Sequence, residues 1–505
     1  MATRTPRWLG ALALTATLFG CTVGPDFVRP TPQTPAHWSE PPAPQSPAPS
    51  TASRGAPAAV TSESAQLDAW WTLFGDPLLT SLVERSSRAN LDLRAAVLRI
   101  EEARAQRDIT AAGAWPSLDA NAGYTRERLS ETTPTGALFS TVGNLKIPGF
   151  AGISIPNPYN QYQLAGSASW ELDLFGRVRR SVEAAQANVE VSVEDRRAVL
   201  VALTADVAQS YIELRGAQSR MAVAEEDVAT TRELLELTRQ RRSAGLISEL
   251  DVASAAAQLS LTEAQVPAFD QLITQDINQL SRLLGLAPEA LRAELDAVAP
   301  IPPVPPSVPI GLPAELARRR PDIREAEAAL HAATAQIGVA VAQLFPRLTL
   351  TAAGGFQSET AGGLTDWASR FGSLGPTLEL PIFDRGRWKT VRLQDIRAQE
   401  AAVAYARAVL GALHEVENAR AAYGADRERR GWLEAAVAQN LDTLLLARQR
   451  YEGGVSNFID VLDAERVLQQ NQLSLIESTS AVSGDLVRLY RALGGGWDHA
   501  APAAP

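Results

Sequence analysis

A chain that repeats one long stretch of itself is committed to building the same scaffold twice. Residues 237–252 (LTRQRRSAGLISELDV) return 209 residues later as 446–461 (LARQRYEGGVSNFIDV). Glu171-Leu172-Asp173-Leu174-Phe175 faces Glu379-Leu380-Pro381-Ile382-Phe383 at an offset of 208. Upstream, Asp92-Leu93-Arg94 faces Asp322-Ile323-Arg324, and 111–116 faces 341–346, at an offset of 230. The change of offset leaves 22 extra residues in the first copy, between Pro116 and Glu171. A period near 210 residues is far longer than a solenoid unit and marks duplication of a domain-sized element.

The boundaries follow from composition. Arg4 and Arg7, an apolar run from Trp8 to Gly20 and then Cys21, the only cysteine, read as an export signal over 1–20. Leu18-Phe19-Gly20-Cys21 resembles the lipobox of bacterial lipoproteins. That resemblance implies S-diacylglycerol and an N-acyl chain on Cys21, and Thr22 after it implies delivery to the outer membrane. Each buried methylene adds about 0.8 kcal/mol, so a multiply acylated terminus anchors stably. Residues 21–66 then form the acylated start and a Pro/Ala-rich tether of polyproline character, and 299–313 a second Pro-rich stretch joining repeat 1 (67–298) to repeat 2 (314–497), with a tail at 498–505. After the signal no apolar run approaches 20 residues, so no spanning helix is expected.

Within each repeat the hydrophobic period switches between helix and strand. Leu78 to Ala112 is helical in pattern. Leu118, Ala120, Ala122 and Tyr124 then alternate with polar or small residues, as do Tyr162 to Leu172, Leu348 to Ala352, and Leu378 and Leu380. Four strands emerge, each with one apolar face, and Tyr159, Trp170, Trp367 and Phe371 lie near their ends. Apolar-out, polar-in strands with aromatic ends are the pattern of a membrane barrel. Four strands cannot close one, because about eight is the minimum, so several chains must share the wall.

From Gly176 to Gly245, and again from Gly386 to Gly453, there is no proline, and such helices would each extend ~100 Å. Leu214, Ala217, Met221, Ala224, Val228, Thr231, Leu235 and Thr238 fall on steps of three and four, a seam for a packed helical partner. Shorter returning helices are expected over Ser248–Leu284 and Asn457–Leu493, entered through the turns Gly245-Leu246-Ile247-Ser248 and Gly454-Val455-Ser456-Asn457. The fold class is α+β, a tandem repeat of strands and long helices.

The motifs CTVGPDFVRP (21–30), WWTLFGDPLL (70–79), RRRPDIREAE (318–327), ELPIFDRGR (379–387) and RALGGGW (491–497) together resemble the outer-membrane efflux factors of the TolC, OprM and NodT type, over essentially the whole mature chain. The resemblance implies a homotrimer whose 12-stranded outer-membrane barrel continues into a periplasmic α-helical barrel. It also implies a periplasmic adaptor, an inner-membrane pump of the RND type, and export of drugs or other small toxic compounds. On that reading Gly245, Leu246, Ser248, Gly454, Val455 and Ser456 belong to adaptor-contacting tip turns. Asn457, Asp460 and Asp463, three residues apart, match positions that constrict the periplasmic tip, and Ile459 matches an apolar ring. The plain alternative is a solvated helix start, where acids are favoured by the helix dipole.

Catalysis finds no motif: His37, His331, His414 and His499 are scattered, no Walker-type loop is present, and Gly494-Gly495-Gly496 reads as a helix stop. With net charge -10 and arginines interspersed with acids, nucleic acid is not an expected partner. Neither a metal nor a non-lipid cofactor is expected. The competing reading is a lipid-anchored periplasmic coiled-coil scaffold without transport, which would have no use for the strands.

Overall fold

The computed structural model describes residues 22–32, 34–38, 59–61, 67–134, 137, 157–305 and 307–497. Cys21, the signal and most of the insertion between Pro134 and Pro158 lie outside the described residues. In chain order, Ala59–Thr61 (β1) is followed by the helices Pro77–Ala89 (α1) and Leu91–Ala112 (α2) and the strands Ser117–Glu127 (β2) and Tyr159–Leu172 (β3). Next come the 67-residue helix Arg177–Ser243 (α3), then Glu249–Glu263 (α4), Val266–Leu283 (α5) and the single turn Arg292–Leu295 (α6). Ser307–Pro309 (β4), Pro313–Arg319 (α7), Pro321–Ala342 (α8), Arg347–Ser358 (β5), Arg370–Glu379 (β6), the 68-residue helix Arg385–Glu452 (α9) and Phe458–Ala492 (α10) complete it.

Three expectations change. The helix expected over 78–112 is two helices, because Asn90 stops one and starts the other: its side-chain N–H donates to Leu283 O at 2.9 Å and its Oδ1 accepts from Leu93 N at 2.9 Å. The return expected over 248–284 also splits, at Ala264 and Gln265, with Pro267, which has no N–H to give, in the first turn of the second piece. The Pro-rich stretches are not wholly free tethers, since Ala59–Thr61 pairs in parallel with Ser307–Pro309. Extended backbone flanked by prolines suits a short edge pairing of this kind.

The chain divides into two compact units, each drawing on both repeats. One comprises Met1–Val28, Glu102–Val189 and Ala329–Ala401, and the other Arg29–Glu101, Glu190–Ala328 and Ala402–Pro505.

The first unit holds an antiparallel sheet in the order β2-β3-β5-β6. Its register sets Leu118 against Ala168, Tyr124 against Tyr162, Trp170 against Leu350, Leu172 against Leu348 and Leu378 against Leu348. The apolar sets of all four strands therefore share one face, and Asn121, Gln163, Ser167, Thr349, Thr351 and Thr377 share the other. The apolar face is bare: Leu118 is 81% exposed, Leu374 77% and Leu378 64%. Phe371 pairs with Gly355 and belongs to the polar set, so it does not extend the apolar face. By the duplication Leu348 corresponds to Leu118 and Pro376 to Ala168, yet Leu348 pairs with Leu378; the second hairpin is slipped by two residues, an even slip that keeps every side chain on its face. Among the described residues no helix is long and apolar enough to cross a membrane.

In the same unit the segment after Cys21 is strapped down. Val23 N donates to Phe175 O at 3.2 Å, Asp26 pairs with Arg180 at 2.5 Å, and Phe27 stacks on His331 at 4.5 Å. Gly24 lies so close to Gly338 that a Cβ added to Gly24 would meet the Gly338 Cα at 2.5 Å, while a Cβ on Gly338 would meet the Arg180 side chain at 2.9 Å.

The second unit has the larger core. Trp70 is stacked on Tyr490 with ring centroids 5.4 Å apart and has Trp71 and Phe74 edge-on. Asp76 caps α1 by accepting from Leu78 N and Leu79 N, a bond set of about 1 kcal/mol, while its second oxygen accepts from Tyr211 Oη at 2.7 Å. Burial, then that bond, pushes the Tyr211 phenol up to about 12. Arg320 is buried and fully engaged, with Asp322 at 2.6 Å, Glu415 at 2.7 Å and Ala492 O at 2.7 Å. The expected seam on α3 is in place: Leu214, Ala217, Ala224, Thr231, Leu235 and Thr238 are buried, with Met221 and Val228 half-buried.

Candidate gate and tip turns

Both long helices end the same way. Gly245 and Gly454 have φ of +75° and +70°, a conformation in which any Cβ is strained, and each lets the chain reverse. Leu246 N donates to Arg241 O at 3.0 Å and Val455 N to Arg450 O at 2.9 Å, the six-residue closure that satisfies the last carbonyls. Nothing lies within 4 Å of a Cβ built at either glycine, so the dihedral and not crowding selects the residue. Leu246 and Val455 project into the open at these turns, and Gly245, Ser248 and Gly454 are exposed as well. Ser456 is half-buried, with an Oγ that has no hydrogen-bond partner.

A small core fixes the orientation of the helix starts. Phe458, Val461, Leu462 and Leu468 of α10 pack with Leu234, Leu235, Ala255, Leu444 and Tyr451. The opposite side of α10 presents Ile459, Asp460 and Asp463, all exposed, and Asn457, just before the helix, is exposed as well. Three of the four residues singled out as a gate thus share the uncovered side of one helix, and the fourth precedes it. Asn457 is the helix N-cap without a side-chain capping bond. Among the described residues no hydrogen bond or ion pair engages the carboxylates of Asp460 or Asp463. Asp460 lies in the first turn, where the helix dipole accounts for an acid; Asp463 lies beyond it, where that effect has decayed.

The structure adds residues that periodicity did not single out. Arg241 at the end of α3 donates to Tyr451 O at 3.1 Å and sits 4.3 Å over the Tyr451 ring, tying the two helix ends together. Behind the exposed acids, Glu465 is buried 3.8 Å from Arg448. Burial, opposed by Arg448, pushes the Glu465 carboxyl up. Burial also pushes the half-buried Asp227 up to about 6. Polar residues at core positions of α10, spaced four apart from Val461 and then from Glu465, were the available signal.

Exposed apolar strands, paired long helices and an acidic helix start at a double turn define a β-sheet and α-hairpin channel subunit of the TolC-like fold. The family described as Outer membrane efflux protein matches residues 82–286 and 312–495, and the chain belongs to it. It is 34% identical over 496 residues to the Probable efflux pump outer membrane protein SepC of Pseudomonas putida, covering 97% of each chain. Among solved structures it is similar to the outer-membrane channel OprN, with a TM-score of 0.80 and 33% identity over 94% of this chain and 100% of that one. It is also similar to the open state of the Neisseria gonorrhoeae MtrE outer membrane channel, with a TM-score of 0.76 and 30% identity over 95% and 99%. The protein is accordingly an outer-membrane efflux channel of the cell envelope.

Proposed function

We propose that three copies form the exit duct of a tripartite efflux system, receiving drugs or other small toxic compounds from a periplasmic adaptor and an RND-type inner-membrane pump. The observation that carries this reading is the sheet: four antiparallel strands with one continuous bare apolar face and, among the described residues, an unpaired edge on β2 and on β6. Such edges are templates for further strands, and only closure with other copies removes them in a membrane. Three copies give the 12 strands of the reading above. The tip turns Gly245-Leu246-Ile247-Ser248 and Gly454-Val455-Ser456 are the adaptor contacts, supported by their exposed Leu246 and Val455. Asn457, Ile459, Asp460 and Asp463 form the gate, where like charges gathered near one axis favour cations. Cys21 carries the acyl chains, and its test is uptake of labelled fatty acid, lost in Cys21→Ser.

The test of the whole reading is purification in detergent followed by reconstitution in planar bilayers. A heat-labile oligomer that conducts ions is expected. A monomer without conductance would favour the lipid-anchored coiled-coil scaffold instead.

A further inference from the structure

The duplication makes one contact inside the chain a template for a contact outside it. Where the outgoing side of the first repeat meets the incoming side of the second, β3 pairs with β5, Glu183 of α3 lies 3.1 Å from His331 of α8, and Phe175 stacks on Phe345 with centroids 4.8 Å apart and planes at 23°. At an offset of 208 Phe175 becomes Phe383, and at 230 Phe345 becomes Trp115. Phe175 is half-buried and Phe345 is 37% exposed where they stack, whereas Phe383 is 86% exposed and Trp115 75%. Their neighbours follow suit. Arg180, whose buried side chain lies against Gly338, becomes Trp388, which is exposed, and Ile109 on α2 is exposed where its counterpart Val339 on α8 is half-buried. These bare aromatics flank β6 and β2, the two strands left with a free edge.

We infer that Phe383 of one copy stacks on Trp115 of the next, with Trp388 laid against the neighbouring α2, so that the junction of strands and helices is clasped between subunits as Phe175 and Phe345 clasp it within one. The occupant of this apolar face is therefore a second copy of the same chain, held head to tail, the arrangement that closes into a ring. This rests on the oligomeric channel proposed above and specifies which side chains hold it. An indole replaces the second ring and an indole also replaces Arg180, so the intersubunit version is the more apolar of the two. Large aromatic pairs are suited to carrying such an interface.

The test is a pair of cysteines. Trp115→Cys with Phe383→Cys in one chain, oxidised or treated with a short bis-maleimide in detergent, should run after boiling in non-reducing SDS at the mass of two and three chains. Each single variant should run as one chain, and the two single variants expressed together should stop at two. A double variant that sizes as an oligomer in detergent but gives only single chains after oxidation overturns the clasp and leaves the oligomer standing; one that sizes as a monomer, like the unmodified chain, overturns both. The second measurement is the temperature at which the oligomer dissociates in SDS for Phe383→Ala, Trp115→Ala and both together. Lowered values whose effects are less than additive are expected, and full additivity overturns direct contact.

Discussion

In the first repeat the return helix opens with Ser248 and Asp251 closed on one another, the Asp251 carboxylate accepting from Ser248 N at 3.0 Å and from its Oγ at 2.8 Å. In the second repeat Asn457 and Asp460 hold the matching positions and make no such pair. Downstream, Ser254 is matched by Asp463 and Ala256 by Glu465. One scaffold thus carries two chemistries. The first turn uses Asp251 to start a helix, and the second leaves Asp460 and Asp463 uncovered with Glu465 buried behind them. On the proposed function, matching turns with divergent charge are what a duplicated element shows when one copy keeps the structural role and the other controls passage.

The largest effect expected from this contrast is electrical. Asp460→Ala with Asp463→Ala should raise single-channel current in planar bilayers several-fold and weaken block by divalent cations. The matched pair Asp251→Ala with Ser254→Ala should leave both unchanged. Equal currents in the two double variants would remove the acids of the second turn from the gate. Next in size are the glycines: Gly245→Val and Gly454→Val each force a β-branched residue to positive φ and should each cost roughly 1–2 kcal/mol. Limited proteolysis should then cut at the altered turn, and similar cutting at both would show that the turns are equivalent as backbone even where they differ in charge.

Much of this was legible in the sequence because it rests on local pattern. The two helices of 67 and 68 residues appear as proline-free runs, and the strands as alternation whose faces the register confirms. The splits at Asn90 and at Gln265 were not legible, because an asparagine within a helical pattern reveals its cap only once Leu283 is beside it. The pairing of Ala59–Thr61 with Ser307–Pro309 joins residues far apart through stretches of low complexity, where periodicity says nothing. Gly494-Gly495-Gly496 was read as a helix stop, and Gly494, at φ of +73°, does end α10. Its other role is contact, since Gly496 N donates to Leu67 O at 2.8 Å and a Cβ there would meet Thr204 and the Trp70 indole. For the proposed gate, the exposed acids were legible, but the buried Glu465 and the half-buried Asp227 behind them needed the fold to bring α3 and α10 together.

A smaller effect separates the turns by stability alone. Asp251→Ala removes the closed pair at the first helix start and should lower the denaturation midpoint by an amount equivalent to about 1 kcal/mol. Asp460→Ala, with no pair to lose, should be close to neutral in the same assay. Comparable losses in both would mean that Asp460 also caps its helix.

The smallest effect, and the one that tests the buried acids, is a pH dependence. Burial raises Asp227 to about 6 in the folded protein, from 3.8 when exposed, with Glu226 adding to the rise and Gln469 opposing it. Between these values the unfolded chain has released the proton while the folded chain still holds it. Stability is therefore highest below the lower value, falls as pH rises from near 4 through 6, and levels off above. Because the carboxyl is only partly shielded from water, the loss should stay under about 1 kcal/mol. Asp227→Asn should make the slope shallower, matching the unmodified protein at pH 4 and melting slightly higher at pH 8, and should leave the share that burial gives Asp276, raised to about 7, and Asp485, raised to about 6. The matching position in the second repeat is Ala436, so Asp227's share of the slope has no counterpart there. A variant that melts lower than the unmodified protein at pH 8 would show that Asp227 is stabilised there as a carboxylate, not tolerated as a protonated acid.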